Sequence, residues 1–147
     1  MAGRTDHAYF KSIKSFVKGK GIEDKVHFLG FVNTEGLINL YKGAEVLMMP
    51  SLTEGCPVTL IEAMSCGTSV VGSGRGGIPE VGADAIQIVQ DPHDLSGWIS
   101  AIKSILNSPE KRAKLSKRSV ERSRNFDWDQ AAVETSKCYK RFDTSHK

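Results

Sequence analysis

The sequence predicts an α/β domain: a parallel sheet of about four strands with flanking helices and a helical carboxyl-terminal tail. Three observations carry that prediction. Short, largely apolar runs occur at 26–30, 46–50, 69–72 and 86–89, which is how strands read when helices cover both faces of a sheet. Amphipathic helical segments stand between those runs, the alternation that parallel pairing requires. Beyond Asp91-Pro92 the apolar spacing becomes purely helical.

Tyr9, Phe10, Ile13, Phe16 and Val17 recur at helical spacing over 6–18, and Gly19 and Gly21 stop that helix. Val26-His27-Phe28-Leu29-Gly30 follows as the first strand, and Asn33 caps a helix carrying Leu37, Ile38, Leu40 and Tyr41. The second strand is 46–50, with Met48 and Met49 expected in the core, and Pro57 opens a short helix that stops at Gly67. Strands at 69–72 and 86–89 complete the sheet. In the tail, 94–147, Leu95, Trp98, Ile102 and Ile105 form one stripe, Ser108-Pro109-Glu110 caps a second helix, and Asp127 caps a third carrying Trp128, Val133, Tyr139 and Phe142. With no internal repeat or linker, 1–147 reads as one domain.

Composition narrows the function classes. A chain of 147 residues that is 39% hydrophobic and 25% charged can build a real core, which argues against a disordered tail or coiled coil. The formal charge is only +3, too balanced for a nucleic-acid binder, although the segment from Lys103 onward carries +6 and the rest −3. Cys56, Cys66 and Cys138 make an odd number, and the first two lie near opposite ends of one short helix, too far apart to bridge. Reduced thiols and a cytoplasmic setting are expected. No apolar run approaches the roughly 20 residues of a membrane span.

The chemistry concentrates in 50–64, directly after a predicted strand. Ligands of open parallel sheets bind at the carboxyl ends of strands, where loops meet helix N-termini. The loop 51–56 sits over the positive end of the helix that Pro57 opens, an anion site suited to phosphate. Glu54 lies in that loop and Glu62 inside the helix, on the order of 10 Å away. That is too far to share a proton or a metal, and better suited to accepting hydrogen bonds from hydroxyls at two ends of an extended ligand with an anionic middle. A nucleotide-diphosphate sugar has that layout.

The blocks Phe28-Leu29-Gly30, Leu40-Tyr41-Lys42-Gly43-Ala44, the run 50–64, Cys66-Gly67-Thr68-Ser69-Val70-Val71 and Gly76-Gly77-Ile78-Pro79-Glu80-Val81 strongly resemble the carboxyl-terminal lobe of the group 1, or family 4, glycosyltransferases. Glu54 and Glu62, with seven residues between them, match that family's glutamate pair, and agreement extends to Phe126 and Trp128. The resemblance implies a GT-B fold of two Rossmann-like lobes and retaining transfer of a sugar from a UDP-, GDP- or ADP-linked donor to an acceptor such as a glycan or lipid carrier. By the same resemblance Glu54 is the catalytic-site residue and holds donor-sugar hydroxyls, Glu62 holds the ribose, and the loop residues Gly55 and Cys56 with the amides of Val58 and Thr59 meet the diphosphate. The main chain at Phe31 and Val32 borders the base. No cofactor or metal is expected, because a helix dipole and basic side chains neutralise the diphosphate.

Two departures go with the resemblance. Pro57 stands where the family often has glycine and donates no N–H, so the diphosphate has one donor fewer. The family's lobe also opens with a strand, helix and strand bearing an arginine and a lysine, and it is preceded by an acceptor lobe; by the resemblance this chain begins after them and is inactive alone. A rival reading is a non-catalytic module that self-associates through an exposed sheet edge or docks onto a separate amino-terminal lobe. A receiver-type signalling domain ranks last, since the loop after 46–49 offers a single acid, Glu54.

Plainer roles stand beside these. Glu62 could be a solvated helix residue and Glu54 a turn acceptor; the surrounding blocks favour the ligand roles. Gly76-Gly77 serves equally as a simple loop or a site element, and Cys56 reads as a filler more than a reactive thiol. The basic run from Lys111 to Arg124 reads as a solvated helix face, with a surface for anionic lipid at the inner face of the membrane as the sharper alternative.

Overall fold

A computed structural model of the chain describes residues 8–143. Contacts divide the chain into two compact units, Met1–Asn39 and Leu40–Lys147. The first contains helix α1 (Ala8–Gly19), a 3-10 turn at Glu23–Lys25 and the start of α2 (Thr34–Gly43). Val17 is buried, and Phe10 meets Phe28 edge to face at 5.1 Å, an arrangement favoured by the ring quadrupoles. Lys14 Nζ sits 4.9 Å from the Phe10 ring centre. Asn33 caps α2 by accepting the Gly36 amide at 2.9 Å, as the sequence predicts.

The predicted strand at 26–30 is the one that does not form: only Gly30 makes a bridge. An apolar run specifies burial and not pairing, and here Phe28 finds its contact on α1. The sheet therefore has three strands instead of about four.

That sheet lies in the second unit, in the order β1 (Leu47–Met49), β2 (Val70–Ser73), β3 (Gln87–Val89), parallel throughout. Met49 pairs in register with Gly72, and Ser73 with Val89. All four residues of the central strand are buried, as a strand covered on both faces requires. At the edge strand β1, Met49 is buried but Met48 is 51% exposed, so only one of the two methionines reaches the core; neighbours along a strand face opposite sides.

Helix α3 (Val58–Ser65) packs against α6 (Pro109–Ser123) and against the short α4 (Ile78–Gly82), while α5 (Leu95–Leu106) lies on β3. Helix α3 ends in a Schellman turn: Thr68 N donates to Ala63 O and Gly67 N to Met64 O, both at 3.0 Å, with Gly67 at φ +76. Val71, Val89, Trp98, Ala101, Ile105 and Leu115 form one buried cluster. The first two helices of the carboxyl-terminal helical segment, α5 and α6, thus contribute Trp98, Ala101, Ile105 and Leu115 to the core. Ser108 caps α6 through the Lys111 amide at 3.1 Å, and Asp127 caps α7 (Trp128–Asp143) through the Asp129 amide at 2.7 Å. The described side chains of α7 are exposed.

Ile105 is fully buried at the centre of that cluster. Ile105→Ala should cost about 2–5 kcal/mol by removing buried methyl groups and leaving a cavity, read as a lower urea midpoint with an unchanged m-value.

Candidate functional site

Residues 50–57 connect β1 to α3 at the carboxyl end of the sheet, and two other segments hold that loop. Ser73, fully buried at the end of β2, donates its hydroxyl to Ser51 O at 2.6 Å. The Gly77 amide donates to Glu54 O at 2.8 Å. Gly76, at φ +55, brings its α-carbon so close that a Cβ there would stand 2.7 Å from Glu54 N and still closer to Glu54 O; a Cβ on Gly77 would overlap Gly55 O. These glycines let two backbones cross without a side chain between them and so fix Glu54 and Gly55 in place.

Pro57 is fully buried and takes the N-cap position of α3 at φ −77, ψ 83, one residue earlier than a first-turn proline. This is close to an inverse γ-turn, and Val58 N donates back to Cys56 O at 2.9 Å. The Val58 amide is therefore engaged within the chain. Leu60 N donates to Pro57 O at 2.9 Å. Thr59, on the first turn, is exposed, and so are Gly55, Cys56 and Val58; Glu54 is half-buried.

Glu62 is exposed on α3, but its carboxylate is not loose. Tyr41, 8% exposed near the end of α2, donates its phenol to Glu62 Oε2 at 3.1 Å, and Tyr41 O accepts the hydroxyl of buried Thr68 at 2.7 Å. Burial, followed by the hydrogen bond to and negative charge of Glu62, pushes the Tyr41 phenol up to about 12. Beside this pair runs a groove of about 660 Å³, whose walls include Cys56, Val58 and Glu62 on one side and Phe126, Trp128 and Glu134 on the other. Arg122 lies over the Phe126 ring at 5.2 Å.

The structure thus gathers Gly55, Cys56, Val58, Thr59 and Glu62 along one loop and helix, with Glu54 anchored at its base. Phe31, 92% exposed, and Val32, half-buried, belong to the first unit. Two contributions go beyond the sequence reading. Tyr41, read as an apolar helix position within a family block, bonds Glu62, and Phe126 and Trp128, read as part of the family agreement, line the groove. The basic run on α6 is largely engaged: Lys111 Nζ donates to Gln87 Oε1 at 2.9 Å, Arg112 pairs with Glu45 at 2.9 Å, Arg118 with Asp84 at 3.3 Å, and Arg122 donates to Glu80 O and Val81 O. Those side chains stitch α6 to its neighbours. Among the described residues no group of three or more His, Cys, Asp or Glu comes together to hold a metal, and no helix is long and apolar enough to cross a membrane. Cys56, Cys66 and Cys138 are free thiols.

Two measurements test this geometry. Gly77→Ala should destabilise the chain by about 1–3 kcal/mol, since the added methyl has no room, read in urea unfolding; an unchanged midpoint would contradict the close crossing. An alkaline absorbance titration should show Tyr41 ionising near pH 12 and moving only part of the way down in Glu62→Ala, because burial, the larger cause, remains. Because the folded-state value is the higher one, the stability contributed by protonated Tyr41 is fully present below pH 10 and falls as pH rises from 10 to 12.

Residues 1–122 match the family described as glycosyl transferases group 1. The D-inositol 3-phosphate glycosyltransferase of Mycolicibacterium smegmatis is 36% identical over 109 residues, covering 74% of this chain and 25% of that relative. O-antigen chain mannosyltransferase B of Escherichia coli is 34% identical over 118 residues, 80% of this chain and 31% of the relative. The chain therefore spans about a quarter to a third of the length of these curated relatives. Among solved structures, sucrose-phosphate synthase from Thermosynechococcus elongatus superposes with a TM-score of 0.86 at 30% identity, covering 97% of this chain and 36% of that one. Anabaena HepE in complex with UDP shares the fold at a TM-score of 0.85 and 20% identity, covering 95% and 40%. With the parallel α/β sheet and the glutamate pair in its loop and helix, the chain belongs to the group 1 glycosyltransferases and corresponds to the carboxyl-terminal domain of their GT-B fold.

Proposed function

We propose that this chain is the donor-binding lobe of a retaining glycosyltransferase and holds a nucleotide-diphosphate sugar for transfer to a glycan or lipid-carrier acceptor. Glu54 accepts hydrogen bonds from hydroxyls of the donor sugar, the exposed loop residues Gly55 and Cys56 with the Thr59 amide meet the diphosphate, and Glu62 accepts hydrogen bonds from the ribose hydroxyls. The observation that carries the reading is the β1–α3 loop itself: its backbone is pinned by Ser73 and Gly77 at the carboxyl end of the sheet, while Glu62 stands on a groove wall. A site held rigid before binding loses less entropy when a ligand arrives. A structural neighbour with UDP bound, Anabaena HepE, supports a nucleoside diphosphate as the class of ligand. The acceptor half of the reaction belongs to an amino-terminal lobe, and this chain alone turns over nothing.

The competing reading, a module that docks onto a separate lobe or a second copy, is favoured by α7, on which Trp128, Val133, Tyr139 and Phe142 are all exposed. Concentration-independent monomer mass would count against it.

The discriminating experiment is calorimetric titration of the chain with UDP, GDP and ADP, alongside Glu62→Ala. One nucleotide should bind saturably, and Glu62→Ala should weaken it by about ten- to a hundredfold, the worth of a hydrogen bond to a charged group. Equal binding by wild type and Glu62→Ala would refute the ribose role.

A further inference from the structure

We propose that Tyr41 is a positioning residue for the nucleotide site: it fixes the Glu62 carboxylate and thereby sets the site's preference for a ligand carrying ribose hydroxyls. The inference rests on the reading of Glu62 as the ribose acceptor. An exposed glutamate on a helix samples many rotamers, and ordering it for a ligand costs side-chain entropy. Here that ordering is built into the fold. The Tyr41 ring is buried and its carbonyl is tied to Thr68, itself 2% exposed, so the phenol oxygen stands at a determined place 3.1 Å from Glu62 Oε2.

The chemistry of the pair suits such a role. A carboxylate offers about four lone-pair sites. One phenol O–H fills one of them, which leaves the second oxygen and part of the first for hydroxyl donors at the groove. The phenol stays protonated, and therefore a donor, throughout the neutral range, since its burial and the neighbouring carboxylate both disfavour the phenolate. Nothing else hydrogen-bonded to the Glu62 carboxylate is seen among the described residues; the Ser65 hydroxyl donates to the Glu62 main-chain oxygen at 2.7 Å. Tyr41 acts through Glu62 and needs no contact with the ligand.

The test compares UDP with 2′,3′-dideoxy-UDP on wild type, Tyr41→Phe and Glu62→Ala, by calorimetry on the full 147-residue chain. Tyr41→Phe keeps the buried ring and removes only the hydroxyl, and a melting curve checks its fold. Wild type should prefer UDP; Tyr41→Phe should shrink that preference by about three- to tenfold while leaving dideoxy-UDP affinity unchanged. A Tyr41→Phe variant that keeps the full preference while Glu62→Ala erases it overturns the inference and leaves the ribose role standing. Equal weakening of both ligands by Tyr41→Phe also overturns it, as the mark of a merely structural residue. Wild type with no preference, or with no saturable binding, refutes the ribose role itself and the inference with it.

Discussion

At the carboxyl end of the sheet two stretches of backbone cross with no side chain between them, Gly76-Gly77 against Glu54-Gly55, and the candidate site depends on that crossing. The eight-residue loop 50–57 with no anchor would sample many conformations, each fixed residue costing about 1–2 kcal/mol of backbone entropy. The crossing and the Ser73 hydroxyl remove that freedom at three points, Ser51, Glu54 and Gly55. The start of α3 and the groove-lining face of that helix then follow from the buried Pro57 and the packing of Leu60 and Met64. Any side chain in place of either glycine pushes the loop away from β2.

The same logic extends to Glu62. Its backbone is set by α3, which buries Leu60, Ala63 and Met64 and shows its outer face to the groove, and its side chain is set from α2 by Tyr41. Thr68, just past the glycine that terminates α3, holds the carbonyl of Tyr41. One short stretch therefore both ends the helix that carries the glutamate and steadies the helix that carries its partner. The two acids end in different circumstances: Glu54 is fixed through its main chain, and Glu62 through its carboxylate.

What was legible in the sequence was local or periodic. Asn33, Ser108 and Asp127 announce their helices because a cap is a bond to an amide two or three residues away. Three of four strands were legible because an apolar run between helices has few other uses. The fourth, at 26–30, reads the same way, yet its Phe28 packs on Phe10, a choice that spacing does not encode. Exposure of Met48 follows from strand order, which sequence does not state. The candidate residues along 54–62 were legible through their loop and helix setting and their family resemblance. The Tyr41–Glu62 bond joins residues 21 apart, and Arg112 meets Glu45 across 67; such tertiary partners leave no periodic trace. For that reason the basic run reads as a solvated helix face with no sign of its tertiary partners.

The central claim is that the anchored β1–α3 loop and the first turns of α3 form the ligand site. The most direct measurement is an amide NMR map of the chain during addition of the nucleotide it binds. The account predicts saturable shifts concentrated at 54–62 and at Gly76-Gly77, with the amides of α6 unmoved. Shifts centred on α6, or spread evenly with no saturation, would contradict it.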